Sequence, residues 1–207
     1  MRATYSPRVA APTSAQQPPE FRRAVESLAS LCPRPELTVS RVAAPPRLAP
    51  WTWALGVDVA DSAVGRPIGD DGVDDSDTSG RLVLLHDPAG QDTWGGTFRL
   101  VCFVQARLEP EQLGDEMLPM VGWSWLTEAL DAADASYRAL GGTVTQTSSV
   151  RFGDIAGPRR ADDVELRASW SPTGTDLRAH GDAFCAFVAS AAGLPPVGVS
   201  RIDHNAL

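Results

Sequence analysis

Residues 97–109 read TFRLVCFVQARLE. Phe98, Leu100, Cys102, Val104, Ala106 and Leu108 alternate with Arg99, Val101, Phe103, Gln105 and Arg107. Successive side chains of a strand point to opposite faces, so a period of two over this length is a β signal. One parity is wholly apolar and the other carries arginines and a glutamine. The stretch therefore predicts a long antiparallel strand packed on one face.

Neighbouring stretches supply partners for it. RLVLLH (81–86) is a second strand, joined to the first by the turn-rich connector DPAGQDTWGG. WTWALGVDV (51–59) alternates cleanly, with Trp51, Trp53, Leu55, Val57 and Val59 on one face. ELTVSRVAA (36–44) alternates weakly and is a candidate first strand. TVTQTSSVRF (143–152) and DVELRASW (163–170) form a later pair. Three helices punctuate these strands. Phe21, Val25, Leu28 and Cys32 share one helical face over 20–31. After Pro110, the residues Trp123, Leu126, Leu130, Ala133, Tyr137 and Leu140 recur at helical spacing. Gly141–Gly142 reads as the stop and Asp134–Arg138 as an i,i+4 pair. The last helix covers about 175–192, ended by Gly193 and Pro195–Pro196. Strands come in groups without βαβ alternation, so the expectation is an α+β fold. It has an antiparallel sheet of five to six strands and three helices, in the order helix, strands, helix, two strands, helix.

Residues 20–196 fit one domain, between a tail at 1–19 rich in Pro, Ala, Ser and Gln and a tail at 197–207. The segment 61–79 reads as a mobile acidic loop, because clustered Asp and Gly favour extension over packing. The net charge is −8 and unevenly spread. Residues 1–50 hold seven Arg against Glu20, Glu26 and Glu36, while 58–77 hold seven Asp against Arg66. This balance argues against general nucleic-acid binding. No apolar run has the length a membrane span needs, and the first residues lack the apolar core of a secretory signal. Cys32, Cys102 and Cys185 form no CxxC pair and read as thiols of a reducing cytoplasm.

Few residues suggest chemistry. Ser124, in VGWSWL, carries part of a nucleophile-elbow pattern, but the fifth position is Leu126 where the motif needs glycine. His180 could serve as a distant base, but a helical serine between packed tryptophans is the plainer reading. Asp75, Asp77, Ser79 and Gly80 match the first half of a calcium loop, but His86 occupies the place of the closing Glu. His86, beside Asp87, reads as a strand-end histidine that a neighbouring carboxylate could orient. The histidines share no ligand spacing, so no metal and no cofactor is implied. Trp94 lies in a turn, where a large ring is either folded back onto the sheet or offered to a partner.

In chain order, the segments FRRAVESL, PRPE, RLAPW, GRLVLLHDPAG, WGGTFRLV, VGWSWLTEALDA, GGTVTQTSSVRFG, VELRASWSPTG and AAGLPP resemble the actinobacterial domain-of-unknown-function family 3000. The resemblance covers about 20–196. It implies a cytoplasmic protein, carries over no catalytic residue, and suggests a link to a ribonuclease D-like protein. The element order is also similar to that of small, acidic, dimeric secretion chaperones. The expected function is a non-catalytic binding or adaptor protein, with a protein partner or self-association. Its interaction residues are expected among Trp94, His86, Glu128 and Arg138. The alternatives are a small-molecule hydrolase with a cleft near His86 and Trp94, and an accessory factor in RNA processing.

Overall fold

Residues 97–107 of that stretch lie in β4 (Gly96–Arg107), an interior strand of a six-stranded sheet. The computed structural model describes residues 17–59, 78–108, 112, 114–155 and 161–198. The other strands are β1 (Leu37–Val42), β2 (Trp51–Val59), β3 (Thr78–Gln91), β5 (Tyr137–Ser149) and β6 (Ala161–Pro172). Their order is β1-β2-β3-β4-β6-β5 and every pair is antiparallel. The helices are α1 (Pro19–Ala29), α2 (Leu118–Ala132) and α3 (Arg178–Ala191). The fold is thus α+β, with the strand grouping read from the sequence.

The apolar parity of β4 does what its pattern predicts. Leu100, Cys102 and Val104 join one core with Leu55 and Val57 of β2, Leu82 and Leu84 of β3, and Leu166 and Trp170 of β6. Phe21 and Leu28 of α1, Leu126 and Leu130 of α2, and Phe184 and Val188 of α3 close this core from the helical side. All three helices therefore cover one face. Helix α3 packs closely on β3 at Gly80, which has no side chain: a Cβ there would lie 2.7 Å from Val188 Cγ2 and 2.9 Å from Phe184 Cζ. Ser27 Oγ accepts the N–H of Leu177 at 2.8 Å, so α1 satisfies one donor at the start of α3. The PRPE and GLPP segments also meet. Arg34 donates to both Glu36 carboxylate oxygens and to the Pro195 carbonyl, and these Arg34 hydrogen bonds hold the Glu36 pKa down to about 2.

Two expectations need correction. The helix expected to run to Leu140 ends at Ala132, and 137–142 belong to β5. The stop is a Schellman turn built on Asp134, whose φ is 52°. Ala135 N–H bonds Leu130 O and Asp134 N–H bonds Asp131 O, the 6→1 and 5→2 bonds of that motif. The i,i+4 pair of Asp134 and Arg138 therefore does not exist, since Arg138 is a strand residue. Gly193, with φ 66°, ends α3 in the same way, as expected. The second correction concerns the acidic loop. Thr78 and Ser79 are its expected last residues, but they pair in β3 with Ala106 and Gln105 of β4. Ser79 and Gly80 of the half calcium loop thus lie in a strand, where Gly80 serves helix packing. Residues 60–77, with the rest of the loop, lie outside the described residues.

Candidate functional site

His86 and Trp94 lie on opposite faces of the sheet, so they share no cleft. His86 pairs across from Phe98 and Trp51 on the helix-covered face and is 1% exposed. Its ring is stacked on Phe98 at 4.2 Å and on Phe21 at 5.9 Å. Nδ1 donates to the Thr97 carbonyl at 3.0 Å, which puts a proton on that nitrogen. Nε2 makes no hydrogen bond but lies 3.4 Å from Glu20 Oε1, within ion-pair range. His86 is thus a core ring tying α1 to the sheet, with no access to a substrate. Trp94 takes the first of the two arrangements its turn allows. Its N–H bonds Gln91 O, and the ring folds back onto Ala54, Val83 and Leu85 of the other face. At 8% exposure it offers no ring to a partner's pocket. The reason is local: the hairpin turn after Gln91 is short and lies directly above the apolar residues of β2 and β3.

Ser124 and His180 use their polar atoms elsewhere. Ser124 Oγ donates to Val121 O at 2.9 Å, the back-bond of an ordinary helical serine. His180 Nδ1 accepts the indole N–H of the buried Trp170 at 3.1 Å. Burial lowers its pKa to about 4, so the ring is neutral at pH 7. Burial likewise pushes the Cys102 and Cys185 thiols up to about 12, far from the thiolate a nucleophile needs. Among the described residues, no group of three His, Cys, Asp or Glu could hold a metal ion. None of the described helices is long and apolar enough to cross a membrane. Glu128 is exposed on α2 and Arg138 is exposed on β5. They do not form one helical surface, because the chain turns into a strand between them.

The face without helices carries the more informative geometry. The ladder aligns Gly56, Arg81, Phe103, Arg167 and Thr143 in one row across five strands. The adjacent row is Ala54, Val83, Val101, Ser169 and Gly141. Arg167 lies over the Phe103 ring at 5.4 Å and pairs with Glu165 at 2.7 Å. Arg99 is spent on structure, donating to the Ser169 and Ser171 hydroxyls and the Ala139 carbonyl. The exposed Arg81 guanidinium has no hydrogen bond or ion pair among the described residues. The connector after β1 stands over this face and closes one side of a groove of about 460 Å³. Val83, Val101, Phe103 and Gly56 line it from the sheet, Pro45 and Leu48 from the connector, and Arg81 and Asp58 supply its charge. That size falls in the range of ligand-binding clefts, which run from roughly 300 to 1,000 Å³. Sequence reasoning passes over Arg81, Val101 and Phe103. The available signal is two large apolar residues on the polar parity of β4, which a solvent-facing row does not need.

Together these features define an α+β protein whose antiparallel sheet has helices on one face and a grooved, helix-free second face among the described residues. The chain belongs to the family described as protein of unknown function (DUF3000), whose model matches residues 17–200. No curated protein and no solved structure matches the chain, so the likeness to secretion chaperones rests on element order alone.

Proposed function

We propose that the protein is a non-catalytic binding protein that takes an extended segment of a protein partner across its helix-free sheet face. The observation that carries this is the groove. It joins an apolar floor of Val83, Val101 and Phe103 to an arginine, Arg81, that makes no ion pair among the described residues. An apolar floor favours apolar side chains, and a guanidinium fork fits a carboxylate, so the preferred segment is apolar and acidic. We place its work in the cytoplasm on the strength of the three free cysteines.

Arg81→Glu and Leu48→Asp change exposed groove residues and should leave the fold intact. Each should lower capture of a partner from the native cell extract by at least about tenfold, equivalent to about 1.4 kcal/mol. Glu128→Ala, on α2, should retain it. Equal capture by the parent and both groove variants would remove the groove from the account.

Ser124→Ala separates binder from hydrolase. The variant should melt within the shift expected for about 0.5 kcal/mol, as is usual for a residue outside any network. The parent should take no fluorophosphonate label. Strong labelling at Ser124 would replace the binding reading with a hydrolase.

A further inference from the structure

We propose that a second copy of this chain pairs with the free edge of β5, joining two six-stranded sheets through an antiparallel β5–β5 contact about a two-fold axis. Strand β5 is 13 residues long and lies at the end of the sheet, and among the described residues it pairs only with β6. Natural edges are blunted by short length, charge, proline or bulges. The other edge, β1, has six residues and carries Arg41. On β5 the one irregularity lies between Arg138 and Gly141. Beyond it the strand continues without protection, since residues 139–150 contain no charged residue and no proline.

A second observation points to the same place. Seven large apolar side chains are exposed among the described residues, and five of them are Met117, Met120, Val121, Val150 and Phe152. Met117 is the N-cap of α2, Met120 and Val121 lie in its first turn, and the last two directly follow β5. Helix α2 lies over β5: Gln146 Nε2 donates to Asp115 O at 3.3 Å, and Gly122 sits above Val144. Exposed apolar side chains therefore lie beside this edge at the start of α2 and just past the end of β5, and exposed apolar surface marks interaction sites.

Two features select a second copy as the occupant. Antiparallel pairing of a strand with itself is two-fold symmetric, so the edge and the apolar side chains beside it meet their own equivalents. Each copy carries a net charge of −8 and repels its like, but the strip 139–150 is neutral. Thr143, Thr145 and Thr147 share the helix-free side of β5, so pairing about this region sets threonines opposite one another, a favourable cross-strand pair.

Analytical ultracentrifugation of the full chain tests this. The parent should sediment as a dimer at about 50 µM, above the micromolar Kd at the weak end of standard-size interfaces. The double substitution Thr145→Lys/Thr147→Lys sets like charges across the axis. Met120→Glu strikes the apolar side chains at the start of α2 independently. Each should weaken dimerisation at least about tenfold, with the circular dichroism spectrum of the monomer unchanged. In a Cys32→Ser background, cysteine at 143, 145 or 147 should form an intermolecular disulfide most readily at the position nearest the axis. A monomeric parent, or a dimer that keeps its affinity in both variants and cross-links at none of the three positions, would overturn the proposal. A dimer lost in Arg81→Glu but kept in the lysine variant would also overturn it, placing the contact on the groove face.

Discussion

Gly142→Ala is expected to lower the melting temperature by roughly 6–12 °C, whereas Gly141→Ala, one residue earlier, should leave it nearly unchanged. A Cβ at 142 would meet the Arg167 carbonyl, lie 2.8 Å from Trp123 Cζ3 and 2.9 Å from Ala168 Cα. Two of these three obstacles are the backbone of β6, which cannot rotate away. The third is the ring through which α2 rests on β5. Relief requires β5 to move from β6 or α2 to lift from the sheet. Overpacking of this kind costs roughly 3 kcal/mol at its upper end. For a chain of this size that converts to the stated shift, at roughly 2–4 °C per kcal/mol. A Cβ at 141 meets nothing within 4 Å. Differential scanning calorimetry of the two variants gives the comparison directly. Equal melting temperatures would mean that Trp123 does not pack on the strand at Gly142.

The same residues show why the periodicity after Pro110 predicts too long a helix. Tyr137, Leu140 and Val144 all pack against the helical core. In a regular strand such residues would be two or four apart. The irregularity between Arg138 and Gly141, with Ala139 at φ 52°, breaks the period of two. The resulting 3,4 spacing imitates a helix in phase with α2. The true stop is equally well hidden, because the left-handed residue of the Schellman turn is Asp134 in place of the glycine that announces such turns. Strand β2, by contrast, is legible to the residue. Its alternation is unbroken, and Pro50 precedes it.

The site is less legible than the fold, for a different reason. Alternation in β2, β3 and β4 separates two faces but does not say which one the helices will cover. His86 and Trp94 are eight positions apart in the chain and look like neighbours across a cleft. Strand parity and a hairpin turn send one ring into the helix-covered core and the other onto the opposite surface. The groove depends on the connector from Ala43 to Pro50 standing over β2 and β3, a long-range placement that no local period encodes. The sequence does carry Val101 and Phe103 on the wrong parity for a solvated face, and those two residues line the groove.

The second large effect is an acid instability centred on His180. This ring is 2% exposed, and burial depresses its pKa to about 4, against about 6.5 in an unfolded chain. The Trp170 N–H pointing at Nδ1 opposes protonation at that atom as well. Between pH 6.5 and pH 4 the unfolded state therefore binds a proton that the native state does not. Stability must rise with pH across this window and fall as acid is added, at about 1.36 kcal/mol per unit, for a total of roughly 3 kcal/mol. Urea unfolding at pH 7 and at pH 4.5 should show most of this loss in the parent. His180→Gln supplies an amide oxygen to the indole N–H without a titrating ring, and its pH slope should be shallower by about one proton. Trp170→Phe, which keeps an aromatic ring but removes the donor, should lose stability at both pH values and retain much of the slope, because burial, the cause of the shift, is largely preserved. A His180→Gln slope equal to that of the parent would mean that the imidazole titrates in the native state as it does in water. The buried pair could then not be what joins the start of α3 to the end of β6.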